Sequence, residues 1–299
     1  MSKIGFIGLG NMGLPMSIGL MNSGYEVIGY DVNEERSLLF KKSGGNIALS
    51  CANLVAESDV ILTSLPSNKA VEAVYLDKDG LLVHCNSSQV VIDTSTVAPE
   101  LNQQLEASLS EKSIPFLAAP VSGGVVGAEN QTLTVMVGGK KESFQKVKDI
   151  LNVIGGNVFH VGEQIDKGTT VKLINNLLIG FYTAGVSEAL QIANQKDIDL
   201  NDLFSMMNVS YGQSRIYERN YKTFIEPNDF NPGFALKLLR KDLEFAMEVA
   251  DNNQLDLPIS KSLLDLYRNL EQQGYGDQDM AVLYKYLKDT IDKNKEATT

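Results

Sequence analysis

Ile4-Gly5-Phe6-Ile7-Gly8-Leu9-Gly10-Asn11-Met12-Gly13-Leu14-Pro15-Met16 decides the reading of the N-terminal half. Ile4–Ile7 is a short apolar run of strand type, and Leu14–Asn22 reads as a helix ending near Gly24. Between them lies G-x-G-x-x-G. Alone, that pattern describes only a tight turn. After a strand, opening a helix and starting a βαβ unit, it describes a loop that takes a dinucleotide. Gly8 permits the turn, Gly10 lets a pyrophosphate approach the backbone, and Gly13 lets helix and strand pack closely. Leu9, Asn11 and Met12 complete the loop, and the helix N-terminus offers free N–H groups and a positive dipole end.

Working outward, strands and helices alternate. Glu26–Tyr30, Val60–Leu65, Val90–Asp93, Phe116–Ala119, Leu133–Val137 and Val158–Val161 read as strands. Asn33–Lys42 (opened by an Asn cap), Asn68–Leu76, Pro99–Lys112 and Lys141–Ile154 read as helices. This alternation predicts a Rossmann-type, doubly wound, largely parallel sheet. From about Gly168 the strand signals fade. Thr169–Gln195 is one long apolar-rich stretch without proline, followed by helical segments at Leu200–Met207, Phe234–Asn252, Ser260–Gln272 and Gln278–Lys288, and a charged tail, Lys288–Thr299, expected to fray. The expected organisation is a dinucleotide-binding domain over 1–162 and an all-α substrate and oligomerisation domain over 163–299, the latter beginning with a long interdomain helix.

Composition narrows the function. The 299 residues carry 26 Lys+Arg against 37 Asp+Glu, a net charge of -11. An acidic chain without a basic run is a poor nucleic-acid binder. No apolar run approaches the ~20 residues of a membrane span, and Met1-Ser2-Lys3 leads into a run too short for a signal-peptide core. Cys51 and Cys85 are too few for a disulfide framework. The expectation is a cytoplasmic protein with reduced thiols, no membrane partner and no metal.

Asp31 ends the second strand, near the ~20-residue distance at which an acidic side chain meets the ribose 2′-hydroxyl and repels a 2′-phosphate. NAD is therefore expected, with NADP kept possible by the nearby Arg36. A cap for the following helix is the plainer reading of Asp31. A dehydrogenase must also move a proton. Histidine is the usual agent, but His84 and His160 stand apart from other polar candidates and read as structural. The stronger group lies in Gly168-Thr169-Thr170-Val171-Lys172-Leu173-Ile174-Asn175-Asn176. Lys172 and Asn176 are i and i+4, on one helix face, among Val171, Leu173, Ile174, Leu177 and Leu178. Desolvation in such a setting lowers a lysine pKa towards useful proton transfer; a surface lysine that snorkels is the plainer reading.

The opening segment closely resembles the fingerprint of the β-hydroxyacid dehydrogenases, the family of 3-hydroxyisobutyrate dehydrogenase and tartronate semialdehyde reductase. Further segments resemble it in the same order. Asp93-Thr94-Ser95-Thr96 resembles a cofactor-side strand end, Ala119-Pro120-Val121-Ser122-Gly123-Gly124 a substrate-binding turn, Lys172…Asn176 the G-x-x-x-K-x-x-x-N catalytic motif, and Lys241-Asp242-Leu243 a lysine–aspartate element. The resemblance runs from residue 3 to about residue 290. It implies an NAD(P)-dependent oxidoreductase interconverting a small 3-hydroxyacid and its aldehyde or keto acid. Lys172 would be the general acid/base, with Asn176 holding the same oxygen or orienting the lysine. Ser122, Gly123, Gly124 and Asn175 would take the carboxylate-bearing substrate. Leu65, Pro66, Asn68, Thr96 and Lys241 would join the glycine loop and Asp31 around the cofactor.

Departures from the family pattern stand at Ala118 (Asp expected), Asp166 (Gly), Gln131 (Gly) and Gly19 (Asn, Ser or His). None removes a catalytic group. Arg215 and Arg219 are the arginines nearest the Tyr211–Ser214 segment, which faces the cleft in the family; each reads either as a reader of a second anion or as a surface arginine. A helix over 169–195 would be ~40 Å long, more than one small domain covers on every side, and with the resemblance this implies a homodimer or homotetramer. The alternative is a catalytically silent dinucleotide-binding sensor or assembly module on the same fold.

Overall fold

The computed structural model describes residues 2–296. The chain forms two compact units that divide between Lys172 and Leu173. The division falls inside the long helix Lys167–Gln195, a little beyond the Gly162–Gly168 loop.

The first unit is built on nine strands: β1 (Lys3–Ile7), β2 (Glu26–Tyr30), β3 (Asn46–Ile47), β4 (Val60–Thr63), β5 (Val90–Asp93), β6 (Phe116–Ala118), β7 (Val121–Ser122), β8 (Thr134–Gly138) and β9 (Asn157–Gly162). Their order is β3-β2-β1-β4-β5-β6-β8-β7, with β9 on β8. From β3 to β6 every pairing is parallel, the doubly wound arrangement. β8 runs antiparallel to β6 and β7, so the parallel expectation holds for the half that carries the glycine loop. Strand side chains alternate between two apolar layers. Ile4, Phe6, Leu62, Ile92 and Leu117 join one, and Ile7, Ile61, Val91 and Phe116 the other. Both faces are thus covered by helices, which is why these strands read as continuous apolar runs.

Among the described residues, the second unit is helical, apart from one bridge between Ala235 and Asp279. Its helices Leu200–Asn208, Arg215–Asn220, Leu236–Asn252, Pro258–Leu270 and Val282–Glu296 pack with the long helix around Tyr221, Leu239, Leu243, Tyr267 and Leu283. Two expectations need correction. The last helix is not Gln278–Lys288 but Val282–Glu296, so the tail is helical to Glu296; residues 297–299 lie outside the described residues. The Arg215–Asn220 helix, missed in the sequence, is opened by Ser214, whose side chain accepts from Tyr217 N.

Candidate active site

The glycine loop joins β1 to the helix Gly13–Asn22. Two of its glycines are required by the protein's own packing. Gly8 has φ +90, and a Cβ there would lie 2.3 Å from the Ser64 carbonyl oxygen. A Cβ on Gly13 would lie 1.8 Å from the Gly8 carbonyl oxygen. Gly10 differs: nothing lies within 4 Å of the place its Cβ would take. Its missing side chain answers to something outside the protein, which fits a pyrophosphate seated against the loop. The helix behind it has no side-chain cap and no acidic residue in its first turn; the Leu14 N–H donates to the Gly10 carbonyl (3.0 Å), and the dipole end of the helix faces no protein carboxylate of its own first turn.

Asp31 sits at the end of β2 with both oxygens engaged by backbone. Leu9 N–H donates to Oδ2 (2.7 Å) and Asn33 N–H to Oδ1 (2.8 Å). Asp31 therefore ties the glycine loop to the second strand. It is not the helix cap, because Asn33 caps that helix through Glu35 N–H. Arg36 reaches back to the loop and donates to Asn11 Oδ1 (3.1 Å).

The next two strand ends are fixed by a buried carboxylate. Asp93 Oδ1 accepts from Thr63 Oγ1 (2.8 Å), Ser95 N (3.0 Å) and Ser95 Oγ (2.5 Å). Ser95 Oγ in turn accepts from Leu65 N (2.8 Å), so the Leu65–Pro66 backbone is set by the neighbouring strand. Asn68 Oδ1 accepts from Ala98 N (3.1 Å), joining the loops after β4 and β5. Pro66 is exposed, while Leu65, Asn68 and Thr96 are half-buried. Tyr75 shares the Thr63 hydroxyl (2.9 Å), and burial, with Asp93 nearby, holds its phenol well above the usual range. The sequence points to Leu65, Pro66, Asn68 and Thr96 here; Thr63, to which it gives no part, and Asp93 and Ser95, quoted only as part of a strand end, do the holding.

Ser122 ends β7, and Gly123 (φ +139) and Gly124 (φ +64) make the turn into the short helix Gly124–Glu129. Two consecutive residues in the left-handed half of backbone space need glycine. Gly168 is held tightly as well. A Cβ there would lie 2.2 Å from the Met136 carbonyl oxygen and 3.0 Å from that of Ala118. The helix Lys167–Gln195 therefore starts hard against β8 and β6, and Thr169 adds a buried hydrogen bond to Asn102 Oδ1 (2.7 Å). One turn on, Lys172 is only 8% exposed; it does not snorkel to solvent. His160 is structural, stacked on Phe144 with Nε2 2.7 Å from the Gly139 carbonyl. Burial pushes the thiols of Cys51 to about 11 and Cys85 to about 12, so both stay protonated.

In the second unit Asn176 is fully buried. Its Nδ2 donates to Asp242 Oδ2 (2.5 Å), and its Oδ1 accepts from Asn175 Nδ2 (3.0 Å). Asp242 Oδ1 pairs with Lys241 Nζ (3.2 Å), which also lies over the Phe245 ring. Lys241 is thus a part-buried member of an ion pair, not a solvated helix charge. Asp242 is the residue the sequence reading quoted but gave no role. Its signal was available: it shares the buried face of its helix with Leu236, Leu239, Leu243 and Met247, and a charge on an apolar face asks for a partner. Arg219 is neither an anion reader nor a surface arginine. It grips the buried Asp279 with both nitrogens (2.9 and 2.7 Å) and lies over Phe224. Arg215 is exposed.

Among the described residues, no cluster of His, Cys, Asp or Glu could hold a metal, and no helix is long and apolar enough to cross a membrane. Residues 3–162 match the NAD binding domain of 6-phosphogluconate dehydrogenase, and residues 167–287 the NAD-binding domain of NADP-dependent 3-hydroxyisobutyrate dehydrogenase. A 2-(hydroxymethyl)glutarate dehydrogenase of Eubacterium barkeri is 36% identical, covering 95% of this chain and 94% of its own. An NAD-dependent L-serine dehydrogenase of Pseudomonas aeruginosa is 34% identical, covering 97% and 99%. The structure of Mycobacterium tuberculosis 3-hydroxyisobutyrate dehydrogenase with L-serine superposes with a TM-score of 0.87 at 29% identity, over 96% of this chain and 99% of that one. With its glycine loop, its helical second unit and these matches over nearly its whole length, the chain belongs to the β-hydroxyacid dehydrogenases, the NAD(P)-dependent oxidoreductase family of 3-hydroxyisobutyrate dehydrogenase.

Proposed function

We propose that the protein oxidises a small acid of the form HOCH2–CH(R)–COO⁻ to its semialdehyde, or reduces the semialdehyde back. Three relatives support this class: L-serine, 3-hydroxyisobutyrate and 2-(hydroxymethyl)glutarate, after which they are named, all carry a primary hydroxyl β to a carboxylate. The observation that carries the reading is Lys172, buried one turn into a helix anchored by Gly168. Bound nicotinamide accepts or supplies the hydride. In oxidation Lys172, neutral, takes the hydroxyl proton; in reduction, protonated, it returns one to the carbonyl oxygen. Asn176, oriented by Asp242, holds that oxygen. The Ser122 hydroxyl and the Gly123 and Gly124 N–H groups grip the carboxylate, and Asn175 assists. The NAD(P) seat comprises residues 8–13, Asp31, Leu65, Pro66, Asn68 and Thr96, and the family resemblance adds Lys241. In this reading 1–162 is the dinucleotide domain and 163–299 the substrate and oligomerisation domain. NADH absorbance over a panel of hydroxyacids and semialdehydes tests it; no turnover with any member would overturn it in favour of a silent dinucleotide-binding module.

NAD is the preferred cofactor in this proposal, because the Asp31 carboxylate at the ribose position repels a 2′-phosphate while Arg36 is engaged by Asn11. A higher kcat/KM with NADP than with NAD would contradict it. A homodimer or homotetramer is part of the same proposal, supported by the long helix. Ile174, Leu178, Tyr182 and Ile192 form an exposed stripe at helical spacing, continued by Gly185 and Ala189 beside an apolar groove of about 410 Å³. A monomer in light scattering at micromolar concentration would contradict it. A cytoplasmic setting, where NAD(P) and reduced thiols coexist, completes the reading.

A further inference from the structure

Two residues of the first unit each sit where their type is locally unfavourable, and the fold brings them together. The short helix Gly124–Glu129 ends in a Schellman turn: Gln131 N–H donates to the Ala128 carbonyl (3.3 Å) and Thr132 N–H to that of Gly127 (2.8 Å). The left-handed residue of such a turn is usually glycine; here it is Gln131, at φ +57. Gly19 lies inside the helix Gly13–Asn22, where alanine would be favoured. Gln131 Nε2 donates to the Gly19 carbonyl (3.0 Å) and lies 3.5 Å from Ser23 Oγ. A Cβ on Gly19 would lie 2.8 Å from that same Nε2, and the three nearest atoms to it all belong to Gln131. Each oddity is explained by the other. The two helices share the core around Met16, Leu20 and Ala128, but beside the Gln131–Gly19 contact they part around a crevice of about 270 Å³ walled by Leu14, Ile18 and Glu129.

We propose that Gln131 and Gly19 form a clasp that keeps the cofactor helix and the substrate turn in register, making Gln131 a positioning residue of the reaction. The proposal rests on the reading of Ser122–Gly124 as the substrate turn. One helix begins at the glycine loop and the other at that turn, so the clasp ties the elements behind the two seats. Hydride transfer requires reacting atoms within ~3–3.5 Å, and an error in this register falls directly on that distance.

The test uses the full chain with Gln131→Gly, Gly19→Ala and the double variant. Gly19→Ala alone forces its methyl against the Gln131 amide and lowers Tm. The double variant places glycine in the turn and alanine in the helix, so its Tm equals or exceeds that of the parent. NADH affinity stays within about twofold, while kcat on the best acid of the substrate panel falls about fivefold or more. Loss of rate in a protein at least as stable is not what a purely structural contact produces. Hydrogen exchange with NADH as the probe reads the clasp without any substrate. In the parent, NADH slows exchange over residues 125–132; in the double variant it slows only the glycine loop. Equal slowing in both proteins, no slowing in the parent, or a parent-like kcat in the double variant would overturn the clasp. Ser122→Ala separates the underlying reading: an unchanged KM in that variant rejects the substrate turn, while the exchange result still decides whether Gln131 couples the two helices.

Discussion

The two units hold their polar residues in place by different means. In the first, glycine backbone shapes the loops and turns, and the Asp93, Thr63 and Ser95 side chains brace the strand ends behind them. Gly8, Gly13, Gly123, Gly124 and Gly168 occupy conformations or spaces that a side chain would disrupt, and the functional atoms follow from short motifs at strand ends. In the second, side chains from distant helices hold one another. Asn176 meets Asp242 across 66 residues of sequence, and Arg219 meets Asp279 across 60. A site placed by backbone is written locally in the sequence. One placed by side-chain pairs is written as two ordinary-looking residues far apart.

The largest expected effect lies on the helix that carries both Lys172 and Asn176. Lys172→Ala lowers kcat by ~10²–10⁴-fold while NADH titration and Tm stay near the parent values, and Lys172→Arg does almost as badly because guanidinium keeps its proton. Asn176→Ala costs less, since in the proposed mechanism it removes an orienting group and leaves the lysine. Near-parental kcat in Lys172→Ala would move the proton route elsewhere, with Lys241 the first residue to examine.

Gly168→Ala tests backbone placement. Its methyl would meet the Met136 carbonyl, which cannot swing aside, so stability in urea drops by ~3–4 kcal/mol. Full stability would show that β8 yields and that backbone placement is softer than the geometry indicates. Asp279→Ala tests side-chain placement. Removing a buried carboxylate that also accepts from Gly233, Phe234 and Ala281 N–H costs ~3 kcal/mol, and the second unit melts before the first in calorimetry. A single unshifted transition would erase the distinction between the units.

Legibility follows the same division. The strands β1, β2 and β5, the Asn33 cap and the helices Asn68–Leu76 and Lys141–Ile154 lie where local pattern puts them. β3 and β7, two residues each, have no period to show. The helix Gly124–Glu129 is too short and glycine-rich to signal itself. Lys172 stood out because its motif is local. Asp242 did not, because its meaning depends on Asn176, and Arg219 was misread because Asp279 lies so far along the chain.

The smallest effect concerns the surface network of the second unit. Arg268 and Arg240 donate to Glu244 and hold its carboxyl below the usual range, the hydrogen bond from Arg268 first. A depressed folded pKa gives stability that is present above the unfolded value of ~4.3 and is lost as pH falls through the folded pKa. The three side chains are partly exposed to solvent, so screening keeps the loss under ~1 kcal/mol. Glu244→Gln should flatten the acid limb of the stability curve by that amount; an unchanged limb would leave the ion pair without energetic weight.

Gly10 separates two kinds of selection. It has an ordinary φ and open space where a side chain would go, so the folded chain itself places no demand on it, unlike its neighbours Gly8 and Gly13. A mutant library sorted for soluble expression would therefore accept alanine or serine at position 10 and reject them at 8 and 13. Sorted instead on retention by an immobilised dinucleotide, the same library would reject all three. The difference between the two sorted populations, read by sequencing at codons 8, 10 and 13, would distinguish what the polypeptide needs to fold from what its cofactor needs to bind.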